Sequence, residues 1–572
     1  MNSSLSPYAI LGIIAVYFAV LILISYLTSR DGNDNDSFFL AGRKSPWPLV
    51  AFGMVGASLS GVTFISVPGA VGAGGANQAF SYMQVVFGYL LGYLFIATVL
   101  LPLYYKLGLT SIYEYLKTQI GPHAYKVGAF YFLLSRTIGA AFRLFLVAIV
   151  LQEYVTGPLE VPFAATVAIT ILLIWVYTFR GGIKTIVYTD TLQTVCMLLA
   201  AGLTVYYVGQ ALETDLGGMI ALIKNSDYSQ VFFFEGGWTD PNNFWKQFLS
   251  GALITIVMTG LDQDMMQKNL SMPNFRDAQK NMAAFSFVLI FANLLFLALG
   301  ALLYIYVTSV GLAIPEASDQ LYPSVALQHL PPVAGVLFVL GLVAAAYSSA
   351  DSALTALTTS FCVDFLGMNE VRHEDKSDDT TANDRKRRLW VHIGFSVLLF
   401  VVILIFRNIN NDAIITELFK AAGYTYGPLL GLFAFGLFTN LKVREKTYFD
   451  NVKLALPLTI GACAVILIGG AYLIGGSTIE YLIAVTLTGS LLVKKVRERL
   501  FMENGRVAIP ALLLVCLASP IISMVVDHNS AELLRGFKFG FLILAFNGLL
   551  TFLGLVALSD FGDFVPAPDE EA

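Results

Sequence analysis

Charge is scarce in this chain: only 13% of its 572 residues are Asp, Glu, Lys or Arg, against 57% hydrophobic, and the mean hydropathy is +0.72. A soluble protein of this size needs more charge than that to cover its surface. Histidine is also sparse, and His123, His329, His373, His392 and His528 never pair at metal-ligand spacing, which sets aside a zinc centre and a catalytic triad. Cys196, Cys362, Cys463 and Cys516 each fall in an apolar run, where they read as small hydrophobes and not as a disulfide framework. The formal charge of -5, with basic residues dispersed among loops, leaves no footprint for a nucleic-acid partner. Nucleophile and base are nowhere juxtaposed, so an enzyme is not expected.

What the chain has in abundance is long apolar runs. A membrane span needs about 20 mostly apolar residues, and roughly 15 such segments follow one another, the first at residues 8–27 and the last near 537–559. Their length points to bundled helices, since a barrel would show alternating segments of about 10 residues. The first run reads as a retained helix and not as a signal peptide. The expected class is an all-α polytopic membrane protein of a plasma (inner) membrane. Lys and Arg collect in alternate connections, including Lys268, Arg276 and Lys280, and this predicts an external amino terminus and a cytoplasmic carboxyl terminus. The charged stretch GMNEVRHEDKSDDTTANDRKRR reads as a solvated linker.

Two runs are interrupted. One carries GASLSGVTF from Gly56 and then PGAVGAGG from Pro68; the other carries SGALITIVMTG from Ser250. Glycine, proline and hydroxyl residues in mid-span favour a broken helix, whose freed backbone groups are tolerated only where they line a cavity. Five spans separate the two interruptions, so a second five-helix unit would enter the membrane from the opposite face. An odd repeat inverts topology.

A third run, AAAYSSADSALTAL from Ala344, holds a carboxylate among hydroxyls. At about 100° per residue, Ser348, Asp351, Ser352, Thr355 and Thr359 share one stripe, with Ser349 beside it. An oxygen-rich stripe suits a small hard cation such as the sodium ion. The hydroxyls alone are better explained by bonds back to the carbonyl four residues earlier or by close helix packing. Asp351 changes that balance, because a carboxylate at the bilayer centre costs about 2.5 kcal/mol or more and needs a cation, a proton or water.

The motifs A-x-x-S-S at Ala345–Ser349, YTDTLQT from Tyr188, LPLYYKLGLTSIYEYL from Leu101, GPLLGLFAFGLF from Gly427 and GFKFGFLILAFNGLLTFLGL from Gly536 together resemble the sodium:solute symporter family. The resemblance implies a leucine-transporter-type inverted repeat of five plus five helices with additional flanking helices. It divides the chain into an extra helix and loop at 1–47, repeats at 48–244 and 245–445, an inserted two-helix hairpin at 446–505, and closing helices with an acidic tail at 506–572. It implies a first sodium held by carbonyls of Gly56, Leu59 and Ala345 and hydroxyls of Ser348 and Ser349. A second sodium would draw on Asp190, Ser348 and Ser352, with Asp351 where relatives often carry serine. Asp190 also fits a helix N-cap with Gln193 three residues on. The segment GLDQDMMQK, Gly260 to Lys268, departs from the family's usual asparagine and arginine.

A small organic solute is then expected beside the first break, near Ser58, Ser60 and Thr63, with Phe80 and Gln84 on the next helix and Thr255 and Met258 at the second break. In SRTIGAAFRLFL, Arg136 and Arg143 lie seven residues apart on one face. Arg136 reads as snorkelling to the interface and Arg143 as the partner of a solute carboxylate. Val62 and Thr63 stand where sugar-binding members carry acidic and amide residues, which favours a monocarboxylate or sialic acid over a hexose. The expected activity is secondary active, sodium-coupled uptake by alternating access. A proton-coupled carrier, a sodium/sugar symporter and, last, a membrane sensor are the alternatives. Membrane lipid would be the surrounding partner.

Overall fold

The computed structural model describes residues 7–28, 35–72, 77–368, 378–409, 414–443, 447–448, 455–473, 475, 478–490, 502–503 and 506–560. Residues 369–377 of the charged stretch and the acidic tail lie outside these. The described chain is almost wholly helical. In lipid every backbone N–H and C=O must be satisfied within the chain, and a helix does this regardless of the β-branched residues that fill these runs. In order come α1 (Pro7–Thr28), α2 (Trp47–Ala70), α3 (Tyr82–Lys106), α4 (Pro122–Leu159) and α5 (Phe163–Ala211). Next come α6 (Phe244–Gly260), α7 (Gln263–Leu270), α8 (Phe275–Ser309), α9 (Pro332–Phe365), α10 (Asp378–Ile409) and α11 (Ile414–Phe438). The last are α12 (Leu458–Leu473), α13 (Thr478–Ser490), α14 (Ala511–His528) and α15 (Gly540–Ala557).

The count of about 15 spans is not confirmed. Among the described residues, 11 helices are long and apolar enough to cross a membrane, or 12 if α6 and α7 form one bent span. The other three predicted runs are helical but short: Phe163–Thr178, α12 and α13. The first of these belongs to α5, which bends at Gly182 with φ 51° and ψ -145°. A left-handed φ is cheap for glycine alone, and a Cβ here would fall 2.5 Å from the Phe38 carbonyl oxygen.

Both predicted breaks are present. In α2 the helix is interrupted at Ser60, whose φ of 46° and ψ of 174° are not helical, and Pro68 removes a further donor. In the second, α6 ends in a π turn over Ile256–Gly260 and α7 starts afresh at a 62° bend. Asp262 caps the new start, its Oδ1 accepting from the N–H groups of Asp264 at 3.0 Å and Met265 at 3.4 Å. Tyr104 donates to the freed Gly260 carbonyl at 2.9 Å.

Two compact units divide the chain. The larger comprises residues 1–110 and 136–419. Within it α9 packs on α5, α2 and α1, while α3 packs on α6. Glycines set the α3–α6 approach: Cβ atoms at Gly88 and Gly251 would lie 2.1 Å from the Phe248 and Val85 carbonyl oxygens. The smaller unit comprises residues 111–135 and 420–572. There α14 packs on α15 and α12, and Asn547 donates to the carbonyls of Gly423 and Tyr424 at 3.1 and 2.8 Å. Short antiparallel pairings, such as Lys442 with Asp560, complete it.

Candidate functional site

The larger unit holds two polar features that meet at the first break. On one side of it lies the contact of α2 with α5 and α9. Gly56 is required there, since a Cβ would sit 2.2 Å from Thr194 Oγ1 and 3.3 Å from Ser348 Oγ. The helices therefore touch where α2 is about to unwind. Ser349 donates to the Ala57 carbonyl at 3.3 Å, and Ser348 donates to Asp190 Oδ1 at 2.7 Å. Gly56, Leu59, Ala345, Ser348 and Ser349 are all buried. One α2 carbonyl, that of Ala57, thus meets one α9 hydroxyl, that of Ser349.

Asp190 is not a helix N-cap. It lies eight residues past the Gly182 bend, inside α5, and its carboxylate collects three donors: Ser348, Ser352 at 3.3 Å and the Lys268 ammonium at 2.7 Å. Lys268 corrects an expectation. The charge pattern predicts a polar connection, but α7 folds back into the bundle and leaves Lys268 1% exposed, with Asp264 Oδ1 also 3.9 Å away. Arg136 is a second correction. It does not snorkel; it is 3% exposed and ion-paired to Asp264. A charge chain therefore runs Arg136, Asp264, Lys268, Asp190 through α4, α7 and α5. Asp351 takes different donors: Tyr177 Oη at 2.8 Å and the Ser352 N–H at 2.6 Å.

On the other side of the break is a cavity lined by Ser58, Ser60, Thr63, Arg143, Thr255 and Met258, all anticipated, and also by Arg136. Tyr82, Tyr89, Tyr93, Thr259, Leu418 and Phe419 line it as well. The three tyrosines, spaced seven and four residues apart, make one stripe of α3 and were legible as such. Leu418 and Phe419 arrive from distant sequence, with no local signal. Phe80 and Gln84 do not line the cavity. The Gln84 amide donates to the Asn242 carbonyl at 2.8 Å and Gln247 Oε1 at 3.1 Å, and accepts from the Phe233 N–H at 3.1 Å. It fastens the 230–247 segment over α3. Phe80 joins the same segment through a backbone bond to Gln230.

Two unwound helices facing each other across a buried polar cavity, with an oxygen cluster behind one break, define a multi-pass membrane carrier of the broken-helix type. Comparison with known proteins agrees. The profile of the sodium:solute symporter family matches residues 38–446, and the chain belongs to that family. The chain is 26% identical to the sodium/sialic acid symporter NanT of Aliivibrio fischeri over 74% of this chain and 81% of that protein. It is 26% identical to the sodium-coupled monocarboxylate transporter 2 of Danio rerio over 78% and 71%. Among solved structures, the substrate-bound outward-open state of a Na+-coupled sialic acid symporter superposes with a TM-score of 0.66 at 19% identity, covering 85% of this chain and 98% of that one. The fold is the leucine-transporter-type inverted repeat, and the ion of its family is sodium.

Proposed function

We propose that this chain takes up a small carboxylate by sodium symport, with a monocarboxylate or sialic acid as the solute class. The observation that carries the reading is Arg143, 7% exposed on α4 and lining the cavity beside the break of α2. A guanidinium in that position binds a carboxylate through two parallel hydrogen bonds. Ser58, Ser60, Thr63 and Thr255 supply hydroxyls for the rest of the solute, and Met258 and the tyrosine stripe supply its apolar wall. The curated relatives that carry sialic acid and monocarboxylates lend the same reading support.

The driving sodium sits between α2 and α9. Carbonyls of Gly56, Leu59 and Ala345 and the hydroxyls of Ser348 and Ser349 form an oxygen-only set suited to a hard cation. Binding there ties the unwound part of α2 to α9, fixes the cavity wall that Ser58 and Ser60 provide, and so shifts the population toward the solute-competent, closing state. Opening toward the cytoplasm, the side of the carboxyl terminus in this reading, releases both. Exposed Leu90, Leu91 and Leu94 on α3 and Phe287 and Phe291 on α8 face the surrounding lipid.

Uptake into proteoliposomes across labelled monocarboxylates, sialic acid, hexoses and amino acids, with and without a sodium gradient, tests the reading. Carboxylates are expected to accumulate only with the gradient. Arg143→Gln should lose carboxylate uptake, and Ser348→Ala should remove sodium activation. Hexose uptake by the wild type, or unchanged sodium activation in Ser348→Ala, counts against it.

A further inference from the structure

The stretch VFFFEGGW, Val231 to Trp238, lies between α5 and α6 and turns large apolar side chains outward. Phe232 is 49% exposed, Phe234 57%, Trp238 56% and, at the start of α6, Trp245 54%. Exposed apolar patches of this kind mark interaction surfaces.

The patch is continuous. The backbone is extended at Gln230, and successive side chains of an extended segment point to opposite sides. Phe233 is held by its backbone, its N–H donating to Gln84 Oε1 at 3.1 Å and its carbonyl accepting from the Phe244 N–H at 2.8 Å. Phe232 and Phe234 share the other side, their rings stacked at 6.0 Å and 11°. The row runs onto both neighbouring helices: Phe232 stacks on Phe87 of α3 at 6.0 Å, and Phe234 meets Phe244 of α6 at 4.9 Å, which touches Trp245 at 5.0 Å.

A second, independent observation fixes the depth of this row. The far end of α3 is charged: Lys106 is exposed there, and Arg43 donates to the Gly108 and Leu109 carbonyls at 3.2 and 3.0 Å. Basic residues mark a polar boundary of the bilayer. At about 1.5 Å per residue, Phe87 lies roughly 29 Å back along α3, and the hydrocarbon core is about 30 Å thick. Exposed Leu90, Leu91 and Leu94 cover the helix between. Phe87 therefore stands where the opposite boundary falls, and the aromatic row follows that boundary sideways. Charge has no part in it, since Lys246, the one basic residue from 231 to 250, donates its ammonium to the Trp238 carbonyl at 3.0 Å.

We infer that residues 231–238 form an aromatic anchor, lying in the headgroup and acyl-chain boundary of the leaflet at the amino-terminal end of α3. The partner is a zwitterionic lipid surface. Gln84 and Phe244 bind the same segment to α3 and α6, two helices that wall the cavity, so the anchor ties that pair to the bilayer.

Fluorescence of the purified full chain in nanodiscs holding one copy each, taken as the difference between the wild type and Trp238→Phe, isolates the emission of Trp238. Trp245→Phe does the same for the α6 end. Each emission should fall about twofold or more in phosphatidylcholine brominated near the headgroup, less with bromine near the chain ends, and little with aqueous iodide. Anionic lipid should change none of this. Phe232→Ser combined with Phe234→Ser should exchange lipid quenching of Trp238 for iodide quenching. Iodide quenching in the wild type places the segment in water and overturns the anchor, as does emission that responds to neither quencher. Iodide access that vanishes only when each disc holds two copies assigns the face to a second chain and overturns it too.

Discussion

Lys268 shows what a single buried charge does to its surroundings. Its ammonium lies 2.7 Å from Asp190 with both side chains 1% exposed. Removing one partner of such a pair strands the other and costs about 3–5 kcal/mol, whereas removing both at once costs far less. Lys268→Met should therefore lower the unfolding midpoint sharply, and Lys268→Met with Asp190→Asn should recover most of the loss in a thermal-shift assay. A double variant no more stable than the single would mean that the pair contributes little. The hydroxyl stripe of α9 was legible because its spacing is local. Lys268 was not: a lysine six residues after Asp262 looks like loop, and its partner lies 78 residues away. The partners of Gln84 are illegible for the same reason, since nothing near it announces that Asn242 and Gln247 will occupy its amide.

Among the elements, the two breaks were readable because each is written in backbone chemistry: the glycine- and hydroxyl-rich stretch around Ser60 in α2, and the run from Ser250 to Gly260 in α6; the Asp262 cap that restarts the helix appears only in the structure. The bend of α5 has no such signature: the polar run around Gly182 breaks the apolar pattern, yet the chain stays helical across it and turns at Gly182. Close approach was not readable. Gly56 looks like any glycine until Thr194 and Ser348 are seen against it. Gly56→Ala pushes α2 from α5 and α9, and overpacking of this kind costs about 1–3 kcal/mol. It should also weaken sodium activation of uptake, while Gly202→Ala, where a Cβ meets nothing within 4 Å, should leave both unchanged. Equal effects of the two substitutions would show that contact with Thr194 and Ser348 is not what Gly56 provides.

For the whole molecule, the repeat architecture and the family were legible from the order of apolar runs and motifs, and the number of full-length spans was not, because three apolar runs fold into helices too short to pass as spans on their own. If two sodium ions accompany one carboxylate in the proposed symport, each cycle carries one net positive charge inward, and each elementary charge gains about 2.3 kcal/mol per 100 mV. An inside-negative diffusion potential should therefore accelerate solute uptake into proteoliposomes. Uptake indifferent to potential would mean one ion per anion.

The hydroxyl of Ser348 has its hydrogen spoken for, since that hydrogen points to Asp190. In the proposed symport an ion captured by Ser348 would meet only the lone pairs of the same oxygen. Positive charge on an oxygen sharpens the acidity of the proton it carries, so capture on the α2 side would tighten the grip of Ser348 on Asp190 and loosen the hold of Asp190 on Lys268. Occupancy of that seat would then be felt at α7, the half-helix beyond the second break, through one O–H bond and one carboxylate.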